Sequence, residues 1–361
     1  MKHFRLKNFL TVLTIALALS ACKKDKVQVD EVGKYENGFF IINEGWFGHG
    51  TGTVSFFDYA TSKITDSIFT KENPGKTLEP ATSSLEFGTV YDGKLYLLTK
   101  SGGPLVAADA KTMKETGRIA ANAGNDWRYF IGLDKNNGLV STGSGIYPIN
   151  LSTMSLGTRI STVNGEVGDM VKAGNYIFVI SANDGLDILK ASDYTLVKNI
   201  PGVVVGFAVT PDGSVWAGGD TKLEKINPTS LEVTDVTVPF TINGSWGAWH
   251  PGSITASTRE NTVFIANNGP YGGGTTIYKY VDGNAASVAN AFITVNENNE
   301  LYGKGLAYNS TTNLLMVNTV ESGYGTHFAA NTLLSYHAGT GAKTGSIAFT
   351  GYYFPATYAF H

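Results

Sequence analysis

Three histidines of this chain have side chains that could bind zinc, because imidazole nitrogen is a ligand that zinc commonly takes. His49, His250 and His327 all fall in segments rich in glycine and aromatic residues. None belongs to a close His-x-His pair, and the single cysteine, Cys22, is far from them in sequence. We therefore predict no metal site and interpret these histidines as hydrogen-bonding rings.

Two carboxylates, Glu297 and Glu300, are close enough in sequence to be considered as the acid and base of a glycosidase. They occur in the polar segment NENNE, which is typical of a solvated loop tip. The segment Asn183-Asp184-Gly185 lacks the ligand spacing and the bidentate Glu of a calcium loop. The chain contains no Gly-x-Ser-x-Gly motif, P-loop or dinucleotide fingerprint. We predict a protein that is not an enzyme and that has no catalytic cofactor.

Aromatic residues give the stronger signal, because four of the five tryptophans fall in segments predicted to be loops. Large amphipathic rings on rigid loops offer contact area at a low cost in conformational entropy. Amide, carboxylate and guanidinium groups lie beside them and can pair with polar groups of a ligand. The candidate ligand-binding residues are Asn43, Glu44, Trp46, Phe47, His49, Asn125, Trp127, Arg128, Tyr129, Trp246, Trp249, His250, Asn268, Tyr271, Tyr324 and His327.

A repeated pattern of short strands positions these loops. Copies begin at Gly38, Lys94, Gly138, Tyr176, Ser214, Thr262 and Leu314. A strand-only repeat of about 40–50 residues is typical of a propeller blade. Each copy contains three strands, and most are preceded by a further strand that ends in a tight turn such as Asp92-Gly93. The sequence predicts an all-β, seven-bladed β-propeller over residues 37–361.

The two ends of the repeat region are predicted to share one blade. No strand precedes the first copy, whereas the chain ends in GYYFPATYAF (351–360), which resembles an innermost strand. Pairing of this segment with Gly38–Asn43 closes the ring and protects its edges. The loops between second and third strands and the loops between blades then lie on one face, which carries the aromatic candidates.

The N-terminal residues 1–21 have the pattern of a lipoprotein signal peptide. Basic residues precede an apolar stretch from Phe9 to Leu19, which is too short for a membrane-spanning helix. The sequence Leu19-Ser20-Ala21-Cys22 resembles a lipobox, where the cysteine thiol is acylated; the alternative is an ordinary secretory signal. Residues 22–36 are predicted to be a flexible tether. A net charge of −3 argues against a nucleic acid partner.

Two segments carry a family resemblance: FIINEGWFGHGTGTVSFFD (40–58) and GYYFP (351–355). They resemble the YncE-like, DUF5074-type β-propeller lipoproteins, which share an N-E-G opening and a terminal G-Y-[WY]-F-P segment. The best-understood relatives, of BtuG type, are surface lipoproteins that bind vitamin B12 and pass it to a TonB-dependent outer-membrane transporter. The resemblance implies an outer-membrane lipoprotein at the cell surface, or on the periplasmic face, that captures cobalamin or another corrinoid. The corrin ring would lie against Trp46, Trp127, Trp246 or Tyr271.

Two other functions are compatible with an aromatic face. A propeller can dock a protein partner or serve an envelope-structural role. Aromatic platforms also stack on sugars, so a glycan-binding or carbohydrate-active propeller is the other alternative.

Overall fold

The computed structural model of the protein describes residues 33–244, 253–269, 272–296, 298–323 and 325–361, and these are almost entirely β-structure. In chain order the strands are β1 (Gly38–Asn43), β2 (Thr53–Asp58), β3 (Lys63–Thr65), β4 (Leu85–Tyr91), β5 (Lys94–Thr99), β6 (Leu105–Asp109), β7 (Glu115–Ile119), β8 (Trp127–Gly132), β9 (Asn137–Thr142), β10 (Gly145–Asn150), β11 (Ser155–Leu156), β12 (Val167–Ala173), β13 (Tyr176–Ser181), β14 (Gly185–Lys190), β15 (Leu196–Ile200), β16 (Val205–Val209), β17 (Val215–Ile226), β18 (Val233–Ile242), β19 (Ile254–Ala256), β20 (Thr262–Gly269), β21 (Gly272–Val281), β22 (Ile293–Thr294), β23 (Asn299–Asn309), β24 (Leu314–Glu321), β25 (Ala330–His337), β26 (Lys343–Thr350) and β27 (Pro355–Phe360). The described helical segments are α1 (Ile68–Glu72) and two 3-10 turns, Ala285–Val288 and Gly325–Ala329. Within the described ranges, neither α1 nor either turn has the length and apolar character needed to cross a membrane.

The strands form seven antiparallel sheets, which are the blades of a propeller. Blade 1 has the order β27-β1-β2-β3, and blades 2 to 7 begin with β4, β8, β12, β16, β19 and β23. These innermost strands contact one another in sequence around the ring, and β23 contacts β27 to complete it. The predicted seven-bladed β-propeller is confirmed.

Blade 5 differs from the expected four strands, because three strands are assigned to it. The first residues of β17 pair with β16, and its later residues pair with β18. The chain reverses within this element, which brings Lys222 back beside Gly218. A Cβ placed on Gly218 would lie 3.1 Å from the carbonyl oxygen of Lys222. The second and third strands of this blade are therefore joined without a loop.

The ring is closed by pairing of the two chain ends, as predicted. β27 runs antiparallel to β1, with Phe39 opposite Phe360 and Asn43 opposite Pro355. The pairing begins at Pro355, and the preceding residues 351–354 form a loop above the strand. There the Glu44 and Gly45 N–H groups donate to the carbonyls of residues 354 and 353, both at 2.9 Å. We call this side of the ring, where second strands end and innermost strands begin, the upper face.

Apolar side chains fill the spaces between neighbouring blades. The largest cluster joins blade 1 to blade 2 and includes Phe40, Ile42, Leu95 and Leu97, all fully buried. Burial of each such side chain contributes about 1.5–3 kcal/mol. This packing makes the ring a rigid support for the loops of the upper face.

Candidate functional site

An exposed group of aromatic rings lies on the upper face, in the loop after β1 and the loop before β27. The Trp46 ring is 4.1 Å from the ring of His49 and 4.6 Å from that of Tyr352, with interplanar angles near 30°. Phe47 projects beside them and is 55% exposed. We call these four residues the aromatic shelf.

Tight backbone turns hold the shelf in place. Gly45 and Gly48 have φ values of 75° and 81°, a region that disfavours residues with a Cβ. Between them, the Trp46 carbonyl accepts hydrogen bonds from the N–H groups of His49 (2.8 Å) and Gly50 (3.0 Å). The loop is therefore ordered locally, and the shelf is presented without support from a ligand.

Three other candidates have structural contacts instead. Trp127 is only 2% exposed, and its Nε1 donates to the Gly103 carbonyl at 2.9 Å. The Asn125 amide donates to the carbonyls of Gly103 (2.8 Å) and Ala120 (2.9 Å). The buried Asn43 amide donates to the hydroxyls of Thr53 (3.1 Å) and Ser55 (2.9 Å). The Trp127 ring is thus enclosed beneath the loops, where a ligand cannot stack on it.

The other candidates are dispersed or lie outside the described residues. His327 is exposed, and its Nδ1 lies 3.0 Å from Oε2 of Glu321. Asn268 is buried at the end of the second strand of blade 6. The candidates outside the described residues are Cys22, Trp246, Trp249, His250, Tyr271 and Tyr324.

Charged side chains form a second feature, on the innermost strands around the propeller axis. Glu86, Arg128, Asp169 and Lys304 belong to β4, β8, β12 and β23 respectively. Each of the four lies where its strand shifts register against the next strand. Such β-bulges re-aim side chains and are common next to functional sites. We call these four residues the bulge charges.

The first bulge charge, Glu86, belongs to a buried network directly under the shelf loop. Lys100 forms an ion pair with Glu86, and both side chains are buried. Tyr302 donates its hydroxyl hydrogen to Glu44 at 2.5 Å. Burial raises the pKa of Glu44 to about 7, and nearby Glu86 adds to the rise while Lys100 opposes it.

The other bulge charges form three further ion pairs. Arg128 places its Nη2 2.9 Å from Asp126 and 3.2 Å from Glu166. Its Nε and Nη1 are buried and have no hydrogen-bond partner in the described part of the chain. Lys304 pairs with Asp169 across the axis, from blade 7 to blade 4. Burial raises the pKa of Asp169, although Lys304 opposes this effect.

Tyr129, a candidate from the sequence, lies beside the pair that crosses the axis. Its ring stacks on Phe87 with centroids 3.9 Å apart, and the Lys304 Nζ lies 5.2 Å from its centre. Burial raises the pKa of the Tyr129 hydroxyl, so the phenol stays protonated. Tyr129 thus belongs to the axial channel, not to the exposed loops.

Sequence reasoning missed Glu86, Lys100, Asp169 and Lys304. Glu86, Asp169 and Lys304 are charges in apolar or glycine-rich strand segments, as in SLEFGTVY and VGDMVK, whereas Lys100 directly follows β5. A charge in an innermost strand must face the channel or a neighbouring blade, where isolated burial is costly. That pattern could have indicated a polar axis.

The propeller matches one known family over almost all of its described length. Residues 37–361 match the family model described as "Domain of unknown function (DUF5074)". The chain belongs to this family. No curated protein matches the DUF5074 chain in sequence.

Solved structures share the fold of this DUF5074 propeller at low sequence identity. The computationally designed protein Ika8 is 12% identical, with a TM-score of 0.52 over 88% of this chain and 89% of that chain. The dihydro-heme d1 dehydrogenase NirN, in complex with DHE, is 10% identical, with a TM-score of 0.54 over 87% and 74%. The extracellular domain of a putative one-component system from B. thetaiotaomicron is 15% identical, with a TM-score of 0.53 over 74% and 34%. These likenesses are in fold alone.

The upper face presents ring surface that is available for contact with a ligand. Within the described ranges, no three His, Cys, Asp or Glu side chains are grouped so as to hold a metal ion. The shelf offers exposed ring surface, whereas the charges of the network below it are buried. The exposed ring surface suits a ligand that has flat apolar faces.

Proposed function

We propose that this DUF5074 propeller is a non-catalytic binding protein that captures a bulky, ring-containing nutrient on its upper face. Cobalamin, or a related corrinoid, is the ligand that the family resemblance suggests. The protein would be anchored through an acylated Cys22 in the outer membrane, facing the cell surface. It would pass its ligand to a TonB-dependent transporter.

The exposed aromatic shelf is the observation that carries this proposal. An isolated apolar side chain at a surface is ordinary, but a cluster of rings on an ordered loop favours a binding role. Trp46, His49 and Tyr352 already pack against one another, so little side-chain entropy is lost when a ligand covers them. Phe47 gains the most from being covered, because 55% of its surface is exposed.

Corrinoid chemistry matches the shelf and its surroundings. A corrin ring has a broad apolar face and peripheral amides, which need both donors and acceptors. Glu44 follows β1 directly before the shelf but is buried and accepts the Tyr302 hydrogen bond, so the exposed rings carry the match to the apolar face of the corrin.

Calorimetry with cyanocobalamin tests the proposal directly. Trp46→Ala should weaken binding by roughly 2–4 kcal/mol, the range for a buried aromatic hot spot, which is about 30- to 1,000-fold in affinity. Bound corrin should also quench tryptophan fluorescence, because it absorbs in the near ultraviolet. Absence of both heat and quenching at micromolar protein would refute the corrinoid as ligand.

A matched control separates the shelf from exposed apolar surface in general. Phe47 and Leu196 are 55% and 46% exposed, but Leu196 lies on β15, an outermost strand. Phe47→Ala should weaken binding, whereas Leu196→Ala should leave it unchanged. If corrinoid fails but a glycan or a protein partner binds with this same pattern, the shelf serves one of those alternatives.

The anchor is tested independently of the ligand. Cys22→Ser should release the protein from the membrane fraction and prevent its labelling with a fatty acid. A wild-type protein that carries no label and fractionates like the variant would contradict lipidation.

A further inference from the structure

A cavity of about 250 Å³ lies on the propeller axis, apart from the aromatic shelf. All seven innermost strands contribute residues to its lining. Aromatic rings form part of its wall, and Asp169, Lys304 and several hydroxyl-bearing residues also line it. The aromatic residues of the wall are Phe87, Tyr129, Phe207, Tyr308, Tyr358 and Phe360.

The Lys304–Asp169 pair in this cavity spans the ring. Blades 4 and 7 are three positions apart, which is the greatest separation in a ring of seven. The pair therefore does not join neighbouring blades, as a structural ion pair of a propeller would. Its desolvation carries a free-energy cost that such pairs often fail to recover.

Backbone irregularities aim both side chains at the axis. Lys304 lies between Gly303 and Gly305, where the register of β23 against β24 shifts between Leu301 and Leu306. Asp169 lies where the register of β12 against β13 shifts between Val167 and Met170. Two independent bulges thus place opposite charges in one aromatic cavity, which favours a recognition role over a purely structural one.

We infer that the axial cavity binds a small zwitterion of the α-amino acid type. The ligand ammonium pairs with Asp169, the ligand carboxylate pairs with Lys304, and the apolar body packs against the aromatic walls. The Lys304 Nζ, 5.2 Å from the centre of the Tyr129 ring, already shows that the site accommodates an ammonium over a ring.

Charge balance selects a zwitterion over a simple ion. An anion that bound Lys304 alone would leave Asp169 unpaired, and a cation that bound Asp169 alone would leave Lys304 unpaired. An unpaired buried charge is strongly unfavourable. A zwitterion replaces one ion pair by two and leaves the net charge of the cavity unchanged.

The cavity volume limits the ligand size. Pockets for drug-sized ligands have volumes of about 300–1,000 Å³, and this cavity falls below that range. A single amino acid suits it, whereas a corrinoid is far larger than the space available. This inference therefore concerns a different ligand and different residues from the proposed function.

Calorimetric titration of the purified full chain tests the inference, with L-phenylalanine and L-leucine as probes. Phenethylamine and 3-phenylpropanoate serve as half-ligands that carry only the ammonium or only the carboxylate. We expect saturable binding of at least one amino acid at millimolar concentration or below, and at least tenfold weaker binding of each half-ligand. A half-ligand that binds as tightly as the amino acid would overturn the inference, and so would absence of saturable binding by both amino acids.

Variants locate the site and guard against misfolding. Lys304→Met and Asp169→Asn should each weaken binding at least tenfold. The double variant Lys304→Met/Asp169→Leu removes both charges, so it leaves no unpaired charge and should fold, but it should not bind. Wild-type affinity in that double variant would refute the site.

Lys222→Met is the control variant for the amino acid titrations, and cyanocobalamin is the ligand that tests the shelf. Lys222→Met removes a lysine that pairs with Asp235 at 2.6 Å on the exposed side of blade 5, and it should bind amino acid as the wild type does. Cyanocobalamin binding should be unaffected by Lys304→Met and reduced by Phe47→Ala. Failure of the axial site and failure of the shelf are thus distinguishable.

Discussion

Replacement of Glu44 by Gln should change how the stability of the protein depends on pH. Burial raises the pKa of Glu44 from 4.5 to about 7 in the folded protein. The folded state therefore binds this proton more tightly than the unfolded state does. As pH rises from about 4.5 to 7, the folded carboxyl must ionise in a buried site, and stability falls.

The magnitude follows from the two pKa values. Their difference of about 2.5, at about 1.36 kcal/mol for each pH unit, corresponds to roughly 3 kcal/mol between acid and alkaline pH. Roughly 2.5 kcal/mol of this falls between about pH 5 and 8. The Gln side chain of Glu44→Gln cannot ionise. It keeps an amide oxygen that can accept the hydrogen bond from Tyr302. The variant should therefore gain stability relative to wild type, by roughly this amount, as pH rises.

Urea titrations followed by tryptophan fluorescence, at pH values between 5 and 8, measure this difference. Comparison of two proteins that differ at one residue cancels the other titrating groups. Glu72→Gln is the control of opposite sign, because hydrogen bonds from Lys34 and Tyr35 lower the pKa of Glu72. That variant should lose stability relative to wild type only as pH rises toward about 5, through the titration of Glu72, and its difference from wild type should stay nearly constant between about pH 5 and 8. Parallel pH profiles for wild type and Glu44→Gln would refute the reasoning.

Two further predictions concern the fold. Trp127→Ala should reduce the free energy of unfolding by roughly 3–5 kcal/mol, because it leaves a buried cavity and removes the hydrogen bond to Gly103. A change below about 1 kcal/mol in a urea titration would contradict a structural role for Trp127. Deletion of residues 355–361 removes β27 and exposes the edge of β1, so it should abolish the cooperative unfolding transition. A truncated chain that melts as the wild type does would show that blade 1 is stable without β27.

The ring could be predicted from sequence because its blades are built locally. Short apolar strands, turns such as Asp92-Gly93 and a spacing typical of blades are properties of adjacent residues. The pairing of Gly38–Asn43 with the C-terminal strand followed from counting strands. The reversal inside β17 agrees with the three strands predicted for this copy, but the lack of a loop there could not be anticipated, because Gly218 and Gly219 are compatible with a strand, a bulge or a turn.

The site was harder to predict, because the direction of a loop side chain depends on tertiary packing. Trp46 and Trp127 both follow polar loop residues, yet Trp46 is partly exposed on the shelf and Trp127 is buried. The Gly103 carbonyl that accepts the Trp127 hydrogen bond comes from another blade. Likewise, the pairing of Lys304 with Asp169 joins residues of opposite blades, and it depends on two bulges that single-sequence periodicity does not predict.

Closure of blade 1 by β27 has a consequence for the order of events during synthesis. The partners Phe39 and Phe360 are far apart in sequence, so blade 1 lacks its innermost strand until β27 has left the ribosome. Blades 2 to 7 can form their own sheets earlier, because each is continuous in sequence. Completion of the ring is therefore a single long-range docking event, and a chain interrupted before β27 would have an open ring. Quality control that acts on exposed strand edges would recognise such a product as incomplete.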